Sequence, residues 1–327
     1  MPERGTRRRE HDRPMTPADL RGVVVVEELD LSTDGRLAVI ARRSIVGDRY
    51  RSHLLAIDLG SGREVPRPRR LTTGSTRDGV PRLSPDGETL AFIRRDSSDG
   101  DTLTSIGLLE MGRPGASTTV RMARIGRHGA VGEIAWSPDG RRLAFTADVD
   151  PPRSIVGGST PLAVRRAGGR RRAPTARRIL RTDWRWDEVG HRDHWSHLFV
   201  IDRPGGLPRQ VTSGDWGVAD ICWHPDGRTV AFSADRGREP DLHPRTTIWA
   251  VDVDATDARP REVLAAGGWA NHPAWSPDGR WIAAVGILTT EPFDDVSPTV
   301  LVGPADGSRG PIDLAPDLDR PVGNWVD

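Results

Sequence analysis

The stretch AWSPDGRRLAF, residues 135–145, sets a tight polar turn between two short apolar runs. Ser, Pro, Asp and Gly fit the four positions of a type I turn: Pro presets φ at the second, Asp suits the third, and Gly takes the left-handed fourth that a glycine bulge needs. The same arrangement recurs as RLSPDGETLAF from Arg82, CWHPDGRTVAF from Cys222 and AWSPDGRWIAA from Ala274, with a worn copy, DLSTDGRLAVI, from Asp30. The turn aspartates are Asp34, Asp86, Asp139, Asp226 and Asp278, at steps of 52, 53, 87 and 52 residues. A near-constant step with one insertion marks a repeat architecture.

Within each repeat the signals are those of strands. GEIAW, ADICW and HPAW precede the turn, and RLAFTA, TVAFSA and WIAAVG follow it. These runs are short, partly alternating and rich in β-branched or aromatic residues. A third run follows as SHLLAID at Ser52, SHLFVID at Ser196, TIWAVDV at Thr247 and TVLVGPA at Thr299, and a fourth as RRLTTG, RQVTSG and REVLAAGG. Four antiparallel strands per unit of about 50 residues is the blade of a β-propeller. The absence of helical periodicity, with 36 Gly and 27 Pro, excludes a solenoid of helix pairs.

The expected fold is therefore all-β: a β-propeller of four-stranded antiparallel blades, five complete plus the start of a sixth, in an incomplete ring. Blades are expected at about 22–74, 79–127, 130–214, 217–268 and 271–316, with the next beginning at 321–327. Residues 1–15 read as a disordered lead with Met15 as an alternative start, 16–327 as the partial propeller, and 151–182 as an Arg-rich insertion in the third blade. Trp136, Trp223 and Trp275 each sit two residues before the turn proline, where their rings are expected to pack as wedges between blades.

Composition bounds the chemistry. Hydrophobic content of 36% with 28% charged residues fits a globular protein, and a net charge of +1 gives no global bias toward nucleic acid or anionic membrane. All 47 basic residues are Arg, so lysine Schiff-base or P-loop chemistry is excluded. The single Cys222 rules out an internal disulfide and reads as a buried inert thiol. The VVVV run from Val23 is too short for a signal peptide or membrane span, and the expected location is cytoplasmic.

The S-P-D-G repeats resemble the blades of TolB-type proteins and of the prolyl oligopeptidase family. DWRWDEVGHRDHWSHLFVID from Asp183, PRQVTSGDWGVADICWHPDGRTVAFSADR from Pro208, and DDVSPTVLVGPADGS followed by DLAPDLDRPVGNW narrow this. These stretches are similar to the N-terminal propeller of bacterial acylaminoacyl-peptidase-like members. The resemblance implies a propeller of about seven blades capping an α/β-hydrolase domain, whose Ser-Asp-His triad places its Ser in a G-x-S-x-G elbow. No G-x-S-x-G occurs here; GGSTP at Gly157 and GSRG at Gly307 lack the spacing. A further S-P-D-G would fall near position 330. The resemblance thus implies a non-catalytic, substrate-gating cap that lacks the hydrolase domain, with that domain, downstream or separately encoded, as partner and short peptides as substrates of the parent enzyme. No catalytic residue and no cofactor are assigned. The alternative is a freestanding TolB-like propeller used as an interaction scaffold through its rim loops.

Other residue groups carry types that chemistry could use. Trp184, Arg185, Trp186 and Asp187 in DWRWDEVG form a candidate channel lining or interface. His191, His194 and His197, with Asp193 among them, have zinc-like spacing on a helix, but the segment leads into a strand that points His194 and His197 to opposite faces. Residues 151–182 hold nine Arg and no acid, yet no aromatic for base stacking, so nucleic-acid binding is disfavoured against a solvated insertion. Asp294 and Asp295 point apart on an extended chain, and the five turn aspartates offer calcium one carboxylate each.

Overall fold

The computed structural model describes residues 14–47, 49–60, 67–73, 76–98, 101–112, 131–149, 182, 185–186, 190–191, 194–202, 206–289, 297–318 and 320–322. A 3-10 turn, Pro17–Gly22, leads into a first antiparallel blade of β1 (Val25–Leu31), β2 (Leu37–Val46), β3 (Arg49–Asp58) and the short β4 (Arg69–Arg70). The second holds β5 (Arg77–Leu83), β6 (Thr89–Ser98) and β7 (Asp101–Glu110), joined to the first by one parallel bridge, Ser52 to Arg77. In the third, β8 (Val131–Trp136) and β9 (Leu143–Val149) are followed by a small hairpin, β10 (Arg185–Trp186) and β11 (Gly190–His191). The chain then returns to pair β12 (Trp195–Ile201) with β9 and β13 (Pro208–Gln210) with β12.

The last two blades are regular. One runs β14 (Ala219–Trp223), β15 (Thr229–Ala234), β16 (Thr247–Asp252), β17 (Arg261–Leu264), and the other β18 (Ala270–Trp275), β19 (Trp281–Gly286), β20 (Thr299–Pro304), β21 (Ile312–Asp313). In both, sheet order follows chain order and every pair is antiparallel. The strands before each turn, β1, β5, β8, β14 and β18, pack one on the next, which makes them the inner wall of an arc of blades.

The turns form as their residues dictate. Gly35, Gly87, Gly140, Gly227 and Gly279 all have φ between 66° and 72°, and each glycine N–H donates to the carbonyl three residues back. Asp34, Asp86, Asp139 and Asp278 each accept the hydroxyl of the turn serine and the N–H two residues on. Those bonds, the serine hydroxyl first, hold the four carboxyls below the usual range. In the fourth blade His224 replaces serine. There burial of Asp226 opposes ionisation, but N–H groups of Arg228 and Thr229 and the Thr229 hydroxyl outweigh it. These aspartates are turn residues.

Each blade buries its faces against its neighbours. Val39 and Leu54 meet Leu90 and Phe92 between the first two blades, and Ile93 and Ile106 meet Ile134 and Phe145 at the next seam. Leu198 and Val200 then meet Val230 and Phe232, and Ile248 and Leu264 meet Ile282 and Leu301. Burying one such side chain stabilises by about 1.5–3 kcal/mol. The three tryptophans do lie at these seams, though with a partner the sequence does not reveal. The indole N–H of Trp136 donates to the Arg82 carbonyl at 3.0 Å, that of Trp223 to Ala135 at 3.0 Å, and that of Trp275 to Cys222 at 3.4 Å. Each ring therefore caps the inner strand of the preceding blade. At the first seam the counterpart is Leu83, and Asp30 accepts its backbone N–H at 2.6 Å instead.

Two buried histidines repeat as well. His53 in β3 and His197 in β12 occupy the same place in S-H-L, and the leucine after each donates its N–H to a threonine just past the fourth strand, Thr72 or Thr212. Burial pushes both imidazoles below the ordinary histidine range.

Trp223→Phe should lower stability in urea by about 1–3 kcal/mol, because it strands the Ala135 carbonyl at a packed seam. Trp275→Phe, which loses a longer bond, should cost less; an equal or null effect in both would contradict the capping role. The depressed imidazoles contribute stability that is full above the unfolded pKa near 6.5 and is lost as pH falls through the folded values. Urea midpoints should therefore fall between pH 7.5 and 5.5 more steeply for the natural chain than for an H53Q/H197Q variant. Identical slopes would contradict this.

Candidate functional site

Every inner strand carries a β-bulge about six residues before its turn aspartate, at Val26/Glu28, Gly79/Arg82, Val131/Ile134, Ala219/Cys222 and Asn271/Ala274. In three of them a non-glycine residue turns left-handed: Val80 (φ 51°), Asp220 (φ 53°) and His272 (φ 55°). Such conformations cost about 1–2 kcal/mol per residue, most for a β-branched side chain. The bulges interrupt strand pairing and set polar groups on the inner wall.

On the third to fifth blades that wall is acidic and internally satisfied. The Glu133 carboxylate accepts the N–H groups of Asp220 and Ile221 at 2.9 and 3.0 Å, stapling one bulge to the next. Burial raises its pKa, against the pull of those two bonds. Asp220 accepts the Ser233 hydroxyl at 2.6 Å and pairs with the His272 ring at 2.8 Å. Ser, Asp and His thus meet, but with the aspartate in the middle. A hydrolytic relay needs the serine on the histidine, so this trio orients the seam and does not activate a nucleophile.

On the first two blades the wall is basic. Glu27 pairs with Arg43 at 2.9 Å and Arg77 at 3.3 Å, and Glu28 lies 3.9 Å from Arg82. Burial raises the pKa of Glu28, while Arg82 and Arg95 oppose it. On the other face of β6, Asp78 is fully buried and grips Arg94 through two bonds of 2.7 and 2.9 Å. A second polar feature is a groove of about 470 Å³ between the third and fourth blades at the turn end. Its arginines are engaged, Arg142 with Asp254 at 3.0 Å and Arg209 with Asp202 at 3.3 Å.

Of the residues singled out in the sequence, Arg185 and Trp186 form β10, paired through their backbones with His191 and Gly190, while Trp184 and Asp187 lie outside the described residues. The chain just before this hairpin is tied to the fourth blade by Thr182, whose N–H donates to Asp241 at 2.9 Å. His194 pairs with Asp148 at 3.4 Å, and the buried His197 ring meets the Thr212 hydroxyl and Gly214 carbonyl. Among the described residues no group of three His, Cys, Asp or Glu could hold a metal ion. Asp193, Asp294, Asp295 and most of the Arg-rich insertion lie outside the described residues. Cys222 is a free, half-buried thiol whose pKa burial pushes up. No helix among the described residues is long and apolar enough to cross a membrane. The bulge residues were missed from sequence, since Val80 carries no signature of a left-handed site.

Residues 179–271 match the family described as the dipeptidyl peptidase IV N-terminal region. The chain is 23% identical to dipeptidyl-peptidase 5 of Porphyromonas gingivalis over 347 aligned positions, covering 99% of this chain and 46% of that protein. It spans less than half the length of the curated relatives it matches. Among solved structures it is similar to the acylaminoacyl peptidase of Pyrococcus horikoshii, with a TM-score of 0.65 and 15% identity over 93% of this chain and 42% of that one. It is also similar to the β-propeller domain of the trilobed protease of Pyrococcus furiosus, with a TM-score of 0.54 and 13% identity over 92% and 73%. With its repeats folded as blades and these structures alike across them, the chain has the fold of a β-propeller, and its sequence is similar to an N-terminal region found in peptidases.

Proposed function

We propose that this chain is the substrate-gating propeller of a prolyl oligopeptidase-family serine peptidase acting in the cytoplasm, and that the Ser-Asp-His machinery sits on an α/β-hydrolase domain outside these 327 residues. The observation that carries this reading is the match of residues 179–271 to a peptidase N-terminal region, which runs from the hairpin of the third blade through the whole fourth blade. The inner wall is consistent with it: the Ser233–Asp220–His272 grouping among the described residues is in the wrong order for catalysis. The propeller's contribution is exclusion. In this reading the arc of packed blades admits short peptides and keeps folded proteins from the nucleophile. The DWRWDEVG segment is assigned, on the same reading, to the interface with the hydrolase domain.

The test uses the tagged chain purified from its own cells and treated with a fluorophosphonate probe for reactive serines. A labelled hydrolase should accompany the chain, in the same polypeptide or another, and cleave acyl-peptide or dipeptide chromogenic substrates. The recombinant 327-residue chain should be unlabelled and inactive. Labelling of the recombinant chain itself would overturn the non-catalytic role. Absence of any labelled hydrolase would overturn the peptidase role in favour of a freestanding, TolB-like scaffold.

A further inference from the structure

Arg95, in β6 beside the inner strand β5, is the anomaly of this region. Its cross-strand neighbour in the antiparallel β5–β6 pair is Arg77, another cation on the same face. Like charges directly opposite destabilise a sheet. Arg77 has Glu27 at 3.3 Å and Arg82 has Glu28 at 3.9 Å, but among the described residues Arg95 has neither a hydrogen bond nor an ion pair. It is half-buried, and its guanidinium leans over Gly79 of the inner strand, 3.7 Å from where a β-carbon there would stand. Burial first, and Arg77 second, disfavour its charge, and the more distant Glu28 and Glu27 offset this only in part. Four arginines, Arg43, Arg77, Arg82 and Arg95, face two glutamates, Glu27 and Glu28, so the cluster keeps an excess of positive charge.

Nearby groups show what satisfied partners look like: Arg94, the next residue on the opposite face of β6, is held bidentately by Asp78, and the Glu133 carboxylate accepts two backbone N–H groups. A half-buried guanidinium without such a partner is suited to an incoming anion, and its planar fork matches a carboxylate with two parallel bonds. The neighbourhood is also accessible, with Arg77 and Arg82 side chains 42% and 38% exposed.

We infer that Arg95, with Arg77 beside it, forms a carboxylate-binding site on the inner wall between the first two blades, and that its ligand is the free α-carboxylate of a short peptide. The identity of the ligand rests on the gating function proposed above; the anion site itself does not. A peptide carboxylate placed between the two arginines would offset their repulsion and orient the peptide with its C-terminal end against the second blade. The opposite side of the wall, with Glu133 and Asp220 already engaged, offers no comparable vacancy for a peptide's amino end.

The site is tested by calorimetric titration of the recombinant chain with acetyl-trialanine bearing a free carboxylate, its C-terminal amide, and inorganic phosphate. The free acid should bind, with the amide at least about tenfold weaker. Arg95→Gln should lose at least about tenfold for the acid, and Arg95→Lys should retain part of it. Arg95→Gln should also melt no lower than the natural chain, since it removes an unpaired half-buried charge; this separates lost binding from lost folding. Equal binding of acid and amide, or unchanged affinity in Arg95→Gln, overturns the site. Binding of phosphate without binding of the free acid overturns the peptide assignment. None of these readouts involves a hydrolase, so failure of the gating function would leave them unchanged.

Discussion

A four-stranded sheet with two apolar faces has no stable existence by itself, and every other feature of this chain follows from the need to cover those faces. Each blade is sealed by the next through a small cluster of branched and aromatic side chains. The indole-to-carbonyl bonds of Trp136, Trp223 and Trp275 add direction to that burial. A hydrophobic seam alone tolerates sliding, whereas a hydrogen bond to one inner-strand carbonyl fixes height and angle. The repeat step of about 52 residues is the length of chain needed to make one such sheet and return to the inner wall.

The fold was legible because its punctuation is local. Ser-Pro-Asp-Gly encodes a turn through the dihedral preferences of Pro and Gly and the side-chain bonds of Ser and Asp, and none of these depends on the rest of the molecule. Even the worn copy at Ser32–Gly35 folds the same way, with threonine in place of proline. The tryptophans were legible as packing residues, but their acceptor lies 53 to 88 residues away and only the assembled blades bring it near. The wall chemistry was not legible at all. Val80, Asp220 and His272 adopt left-handed backbone at bulges whose residues share no type, and the clash of Arg77 with Arg95 depends on strand register. The DWRWDEVG segment stands out by composition, yet only the backbones of Arg185, Trp186 and Gly190 enter the described structure.

The inner wall has two characters. From the third blade onward its acids are consumed by the seams: Glu133 staples two bulges and Asp220 links Ser233 to His272. On the first two blades, cations outnumber the acids that could neutralise them. Structural demands account for the first arrangement, whereas in the second Arg95 has no ion pair among the described residues.

The central claim is that this propeller decides by size what reaches a separate catalytic serine. The most direct measurement compares cleavage of one short chromogenic peptide with cleavage of the same sequence placed in a loop of a folded protein, using the hydrolase assembly that contains this propeller. The account predicts turnover of the peptide and none of the folded protein, with discrimination lost when the propeller is removed. Equal cleavage of both, or discrimination that survives removal of the propeller, would contradict it.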